Sequence, residues 1–246
     1  MPDADHTSIR VYHEGPLAEG AHVICSPEQA SYLRGVMRLP SGAGLLVFDG
    51  RSGEYRARLA HDGKRGAALD VGQATREQPP ASDIWLLFAP LKHARLDYMV
   101  QKAVEMGAGR LWPVITRHTQ ATRVNRERMR ANVIEAAEQC GVLAVPDVAG
   151  EARLDTVLDA WDPARRLVFC DERAGVGDPV AALRALGEGP LAVLIGPEGG
   201  FSDEERARLL RARHVQPIAI GPRILRADTA AVAAMAVVQT SLGDWR

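Results

Sequence analysis

Residues 191–241 read LAVLIGPEGGFSDEERARLLRARHVQPIAIGPRILRADTAAVAAMAVVQTS, and this stretch decides the fold. Two apolar runs, Leu191–Ile195 and residues 217–220, each end in a Gly-Pro pair. Helical patterns follow both: residues 203–213 after the first, and a small-residue apolar run from Thr229 after the second. Short apolar runs bounded by Gly and Pro predict buried strands. Strand, glycine loop, helix, twice over, predicts a parallel α/β domain with its ligand site outside the carboxyl ends of the strands.

In the first loop, Gly199 and Gly200 can take positive φ and let a ligand approach the backbone. Pro197 stiffens the turn. Ser202 and Glu205 have capping-box spacing, which places a helix N-terminus beside the loop. A well-capped αβ turn and a ligand cradle both fit this pattern. No Lys-Ser/Thr follows, so it is not a P-loop, and the chain contains no GxGxxG.

The 246 residues suffice for one large or two modest domains. No apolar run approaches the ~18–20 residues that span a bilayer. The opening MPDADHTS carries acids where a signal peptide carries basic residues, so no signal peptide is expected. Cys25, Cys140 and Cys170 share no metal-ligand spacing and predict reduced thiols, with the cytoplasm as the expected compartment. The net charge of −1 argues weakly against non-specific nucleic-acid binding. Locally, Arg110, Arg117, Arg123, Arg126, Arg128 and Arg130 are opposed only by Glu127. That run fits a solvated helix face or a phosphate-contacting patch.

Residues 9–72 predict short strands at 9–12, 22–25, 45–48, 54–59 and 67–71, separated by Gly turns, as in a small barrel. Ser26-Pro27-Glu28 opens a helix expected to bury Tyr32, Leu33 and Val36. Residues 73–83, QATREQPPASD, predict a linker stiffened by Pro79-Pro80. Beyond it, a strand at 84–89, an amphipathic helix over 92–107, a strand at 111–115, a helix over 126–140 and a strand at 167–170 are expected.

GPRILRADTAA resembles the last motif of the SPOUT methyltransferases, and together with LIGPEGGFSDEE it is similar to the RsmE family. LKHARLDYMVQKAVEMGAGRLWPV resembles that family's "K…QKxxELG…xPv" segment, and EAAEQCG followed by Pro146 resembles "EAAEQsgR…VP". Residues 31–38 resemble "H-x-x-x-VLR", with Ser31 in place of His. Val142 stands where many members carry Arg, and Asp228 replaces the Glu of "R-x-ETA". The resemblance implies a PUA-like RNA-binding β-barrel over residues 1–75. It implies a SPOUT α/β domain over 82–246 with a C-terminal trefoil knot. The implied reaction is S-adenosylmethionine-dependent methylation of uridine N3 in 16S ribosomal RNA within the small subunit, by a homodimer. Methylation of another RNA or of a ribose 2′-hydroxyl, and a non-catalytic assembly factor, are the alternatives.

By the same resemblance three loops surround the cofactor. Cys170 and Asp171 lie on the first. Leu194, Gly196, Pro197, Glu198, Gly199 and Gly200 form the second. Ile220, Gly221, Leu225, Arg226, Thr229 and Ala230 form the third. Deprotonation at N3 calls for a cation where charge develops, with Arg226 first and Arg223 second, and for a proton acceptor, Glu198 or His118. Asp228 fits either the cofactor loop or a cap on the Thr229 helix. Arg10, Arg34, Arg38, Lys92, Arg117 and Arg123 are the candidates for RNA contacts.

Overall fold

The computed structural model describes residues 8–120, 123–175 and 177–245. Contacts divide it into two units, residues 1–80 with 137–145, and residues 81–136 with 146–246. The division falls inside the expected linker, but strand pairing continues to Arg76, so the first part of that linker is sheet. Residues 137–145 also group with the first unit, which sequence order did not suggest.

The first unit is built from β1 (Arg10–Tyr12), β2 (His22–Ile24), α1 (Pro27–Ser31), β3 (Gly44–Phe48), β4 (Glu54–Asp62) and β5 (Gly66–Arg76). The strands pair in the order β1-β3-β4-β5-β2, with β1 parallel to β3 and the rest antiparallel. Val11, Leu33, Val47, Leu59 and Leu69 fill its core. Ser26 and Gln29 form a full capping box on α1. The chain then widens into a π turn over Tyr32–Val36, which rotates the expected apolar face. Leu33 stays buried while Tyr32 and Val36 turn to solvent, contrary to the 3.6-residue pattern.

Two of the expected RNA-contacting arginines are committed inside this unit. Arg10 is buried, and its Nε donates to Glu54 Oε2 at 2.7 Å. Arg76 donates to both oxygens of the same carboxylate at 2.9 and 2.8 Å, and Thr75 adds a hydroxyl at 2.8 Å. Burial is the largest single influence on Glu54 and opposes its ionisation. The hydrogen bonds from Arg76, Arg10 and Thr75 together outweigh it and hold the carboxyl below the usual range. Arg34 donates to the carbonyls of Gly63, Lys64 and Gly66, closing the β4–β5 turn. Sequence cannot separate such arginines from surface ones, because the partners lie on distant strands or are backbone.

The second unit contains β6 (Ile84–Phe88), α2 (His93–Glu105), β7 (Arg110–Ile115), α3 (Arg126–Cys140, its last turn grouping with the first unit), β8 (Asp147–Val148) and β9 (Ala152–Arg153). It continues with α4 (Leu154–Asp159), β10 (Arg166–Cys170), α5 (Pro179–Arg184), β11 (Leu191–Ile195), α6 (Asp203–Arg211), β12 (Val215–Ile218) and α7 (Ala227–Leu242). All pairings are parallel, in the order β12-β10-β11-β6-β7-β8, with β9 also on β7. β12 begins at Val215 and ends at Ile218, two residues before the expected end, which leaves Ala219 and Ile220 in the loop. α7 starts at Ala227 rather than Thr229, with Arg226 at its N-cap position. It packs on α2, α5 and β11. Gly107 ends α2 at φ +77°, and Gln239 of α7 donates to the Met106 carbonyl there at 2.7 Å.

Removing the Glu54 carboxylate strands two guanidinium groups, one of them buried. Glu54→Ala is expected to cost about 3–5 kcal/mol of stability, measured by denaturant unfolding. Because the native carboxyl sits below its unfolded value, its contribution is complete above the ordinary glutamate range and disappears as pH falls through the native pKa. A wild-type acid-unfolding curve matching that of the variant would remove Glu54 from this role.

Candidate active site

β10 lies between β11 and β12 in the sheet although it precedes both in the chain. The connection out of β10 therefore goes to one side and the chain later returns on the other, the switch point where parallel sheets open a crevice. A cavity of about 360 Å³ occupies that place, in the size range of small-ligand sites. Its wall comes from the ends of β10, β11 and β12, the loops after them, and Ala227 and Ala230 of α7.

Asp171 anchors the start of the loop after β10. Asp171 is buried, and its carboxylate accepts from the Arg173 amide at 3.1 Å and from Arg206 Nε on α6 at 2.9 Å. Asp171 is thus a strut between loop and helix. Burial pushes the Cys170 thiol up to about 12, so it stays protonated and serves as apolar wall.

The loop after β11 is shaped by what its glycines exclude. A Cβ on Gly196 would enter the ring of Phe201, which packs edge-on against Phe169 at 5.0 Å. Gly200 sits at φ +67° with the Glu172 carboxylate over it. A Cβ on Gly199 would come within 3.2 Å of His118 Cβ. The expected capping box is present: Ser202 Oγ accepts from the Glu205 amide at 3.2 Å, and Glu205 Oε2 accepts from the Ser202 amide at 2.9 Å. Glu205 Oε1 also accepts from the Arg117 amide at 2.7 Å, tying the end of β7 to the start of α6.

Arg95, in the first turns of α2, was not singled out from sequence. Its Nε and Nη2 donate to the two oxygens of Asp228 at 2.9 and 3.0 Å, and its Nη1 pairs with Glu198. The guanidinium thereby joins α2, the loop after β11 and the first turn of α7. Its pKa rises, chiefly through the Asp228 hydrogen bonds, and the Asp228 carboxyl is held below the usual range by the same bonds. Asp228 also accepts from the Thr229 amide at 2.9 Å. Asp228 lies inside the first turn of α7, where an acid is favourable, and lines neither cavity. The signal available in sequence was two acidic residues, Glu198 and Asp228, with no assigned cation.

A second, smaller cavity of about 170 Å³ adjoins the first through Pro197 and Glu198, which line both. Its remaining walls are Pro90, Leu91, Lys92, Arg95, His118 and Gln120.

Of the expected cofactor residues, Cys170, Asp171, Gly196, Pro197, Glu198, Gly199, Gly200, Ile220, Gly221, Leu225 and Ala230 line the larger cavity. Leu194 is wholly buried inside β11, Thr229 is exposed, and neither lines it. Arg223 lines the cavity, whereas Arg226 lines neither, because α7 begins two residues early and uses Arg226 as its N-cap. Arg38, Lys92, Arg117 and Arg123 have exposed side chains. Arg38 holds φ at +54° just past the π turn.

Residues 77–239 match the RNA methyltransferase domain family, and residues 26–71 match the RNA methyltransferase PUA domain. The chain is 28% identical to the ribosomal RNA small subunit methyltransferase E of Rickettsia conorii over 94% of each chain. It is 30% identical to the protein of that name from Synechocystis, covering 90% of this chain and 74% of the relative. The structure of ribosomal RNA small subunit methyltransferase E from Neisseria gonorrhoeae bound to S-adenosylmethionine superposes with a TM-score of 0.85. There the identity is 28%, with 97% of this chain and 100% of that one covered.

The Arg95–Asp228 pair makes a prediction of its own. Asp228→Asn keeps the shape and removes the charge, so it is expected to lower Tm by a few degrees at neutral pH. Because the native Asp228 carboxyl is depressed, its stabilisation holds above the ordinary aspartate range and vanishes as pH falls through the native value. Thermal melts of variant and wild type should therefore converge in acid; a gap that persists there would contradict the assignment.

Proposed function

This chain belongs to the RNA methyltransferase family, and we propose that it methylates N3 of a uridine in small-subunit (16S) ribosomal RNA using S-adenosylmethionine. The carrying observation is that the larger cavity is walled by the two motif loops, GPEGG and GPRIL, at the switch point of the sheet. The first unit carries the PUA match and has the expected RNA-binding role; the second is the SPOUT α/β domain.

The cavity suits the cofactor on chemical grounds. Ile195, Ile218, Ile220, Leu225 and Ala230 offer an apolar wall for an adenine, and the close-set glycines leave backbone groups open to it. Glu172 and Glu198 add anionic edges for a ligand carrying a sulfonium and an ammonium. The bound cofactor supplies an electrophilic methyl group. The protein aligns the base with it, excludes water and manages one proton. Lys92, Arg117, Arg123 and Arg38 are the proposed RNA contacts, and Arg223, unlike Arg226, reaches the larger cavity.

We also propose a homodimer. α7 buries Ala231, Ala234, Met235 and Val238, while Val232, Ala233, Ala236 and Val237 remain half-exposed on its other side. Ile224, on the loop beside the cavity, is 90% exposed. An apolar helix face of this kind is normally covered. No helix among the described residues is long and apolar enough to cross a membrane. The cytoplasm is the proposed compartment.

Incubation of unmethylated small-subunit particles with the protein and labelled S-adenosylmethionine should place label in 3-methyluridine, read by nucleoside mass spectrometry. Label in a 2′-O-methyl nucleoside would refute the N3 assignment. Gly199→Val, which forces a branched side chain against His118 and into the cavity, should weaken cofactor binding at least about tenfold, equivalent to about 1.4 kcal/mol. Calorimetry showing wild-type affinity would remove the loop from the site. Sedimentation equilibrium should give twice the mass of one 26.6 kDa chain, and a monomer would refute the dimer.

A further inference from the structure

The Nδ1 atom of His118 lies 3.1 Å from the Gly199 carbonyl oxygen and 3.1 Å from that of Gly200. Carbonyl oxygens only accept hydrogen bonds, so Nδ1 must carry the hydrogen. In the neutral ring Nε2 is then the nitrogen with a free lone pair, and it has no protein partner among the described residues. The contact depends on the missing side chain of Gly199, since a Cβ there would crowd His118. The cofactor loop thus fixes the tautomer of a histidine on the wall of the neighbouring cavity.

That cavity has the size and lining for one nucleobase. Its volume is about 170 Å³, and a pocket of about 150 Å³ accommodates benzene. Pro90, Leu91 and Pro197 are apolar, and Lys92, Arg95, Glu198 and Gln120 are polar. Arg95 is taken up by Glu198 and Asp228, whereas the Lys92 ammonium has no carboxylate partner among the described residues. Enzymes that act on a base bring it out of the stack into such a pocket.

We propose that the smaller cavity receives the target uracil and that His118 Nε2 is the general base that takes its N3 proton. This rests on the uridine-N3 reading above. The N3–H bond breaks with its proton passing to Nε2 and its electron pair remaining on nitrogen. That pair forms the new N–CH₃ bond while the methyl–sulfur bond breaks with its own pair left on sulfur. Charge developing on O2 and O4 meets Lys92. Imidazole suits the task because its unperturbed ionisation lies near neutral pH. The imidazolium returns its proton to solvent through its exposed face.

His118→Gln keeps a donor for the two carbonyls and removes the base. Its kcat on small-subunit particles is expected to fall about 100-fold, with cofactor affinity unchanged. On particles from cells grown with 5-fluorouracil, the electron-withdrawing fluorine acidifies N3–H, so the deficit of the variant should shrink at least about tenfold. Wild-type turnover by the variant, or an equal deficit on both substrates, would overturn the proposal, the latter pointing to a merely structural histidine. Two-bond ¹H–¹⁵N NMR of the wild-type protein at about pH 8, where an unperturbed imidazole is neutral, should show His118 protonated on Nδ1; the opposite tautomer would also overturn it. The wild-type control separates the two levels: no 3-methyluridine from wild type on either substrate refutes the uridine-N3 reading and this proposal with it, whereas failure of the variant comparison refutes the base assignment alone.

Discussion

The Arg95 guanidinium, held between Asp228 and Glu198, is the contact on which the geometry of the site depends. It joins three segments that are far apart in sequence: the start of α2, the loop after β11 and the start of α7. Both cavities border Glu198, and the smaller also borders Arg95. A planar fork with several fixed donors can satisfy two carboxylates at once, which a lysine at the same place could not match. Charge balance follows from the same arrangement: Glu198 on the cavity rim is partly neutralised by Arg95, whereas Lys92 has no carboxylate partner among the described residues.

Close approach is the second constraint. Gly196 yields to Phe201, Gly199 to His118 and Gly200 to Glu172, so each glycine of the loop makes room for a different neighbour. The resulting loop is held by its own turn, with the Gly200 amide donating to the Pro197 carbonyl at 2.9 Å, and by the Ser202–Glu205 capping box. A preformed, stiff loop lowers the ordering cost of binding. Dense packing in β11, whose five residues are all buried, leaves the loop little freedom to drift.

The first unit follows a different logic. Its centre of charge is internal, with Glu54 accepting from Arg10, Arg76 and Thr75. Arginines that a charge inventory would assign to RNA are spent on holding strands and a turn together. Arg38 is the contrast. Its side chain is exposed, and its backbone holds a left-handed φ of +54° that glycine adopts at lower cost.

Sequence alone determined the parallel α/β domain, the positions of most of its strands and helices, the glycine loop with its capping box, and the motif resemblance that named the chemistry. These are local properties: runs of apolar residues, breakers and caps act within a few positions of one another. Only the tertiary structure decided which charged residues meet. Arg95 finds Asp228 133 residues away, Arg10 finds Glu54 44 residues away, and His118 reaches carbonyls more than 80 residues away. The early start of α7, which takes Arg226 out of the cavity, and the π turn that exposes Tyr32 are equally matters of packing. A long polar side chain is assigned its role by the partner that folding brings to it, and that partner is not written in its sequence neighbourhood.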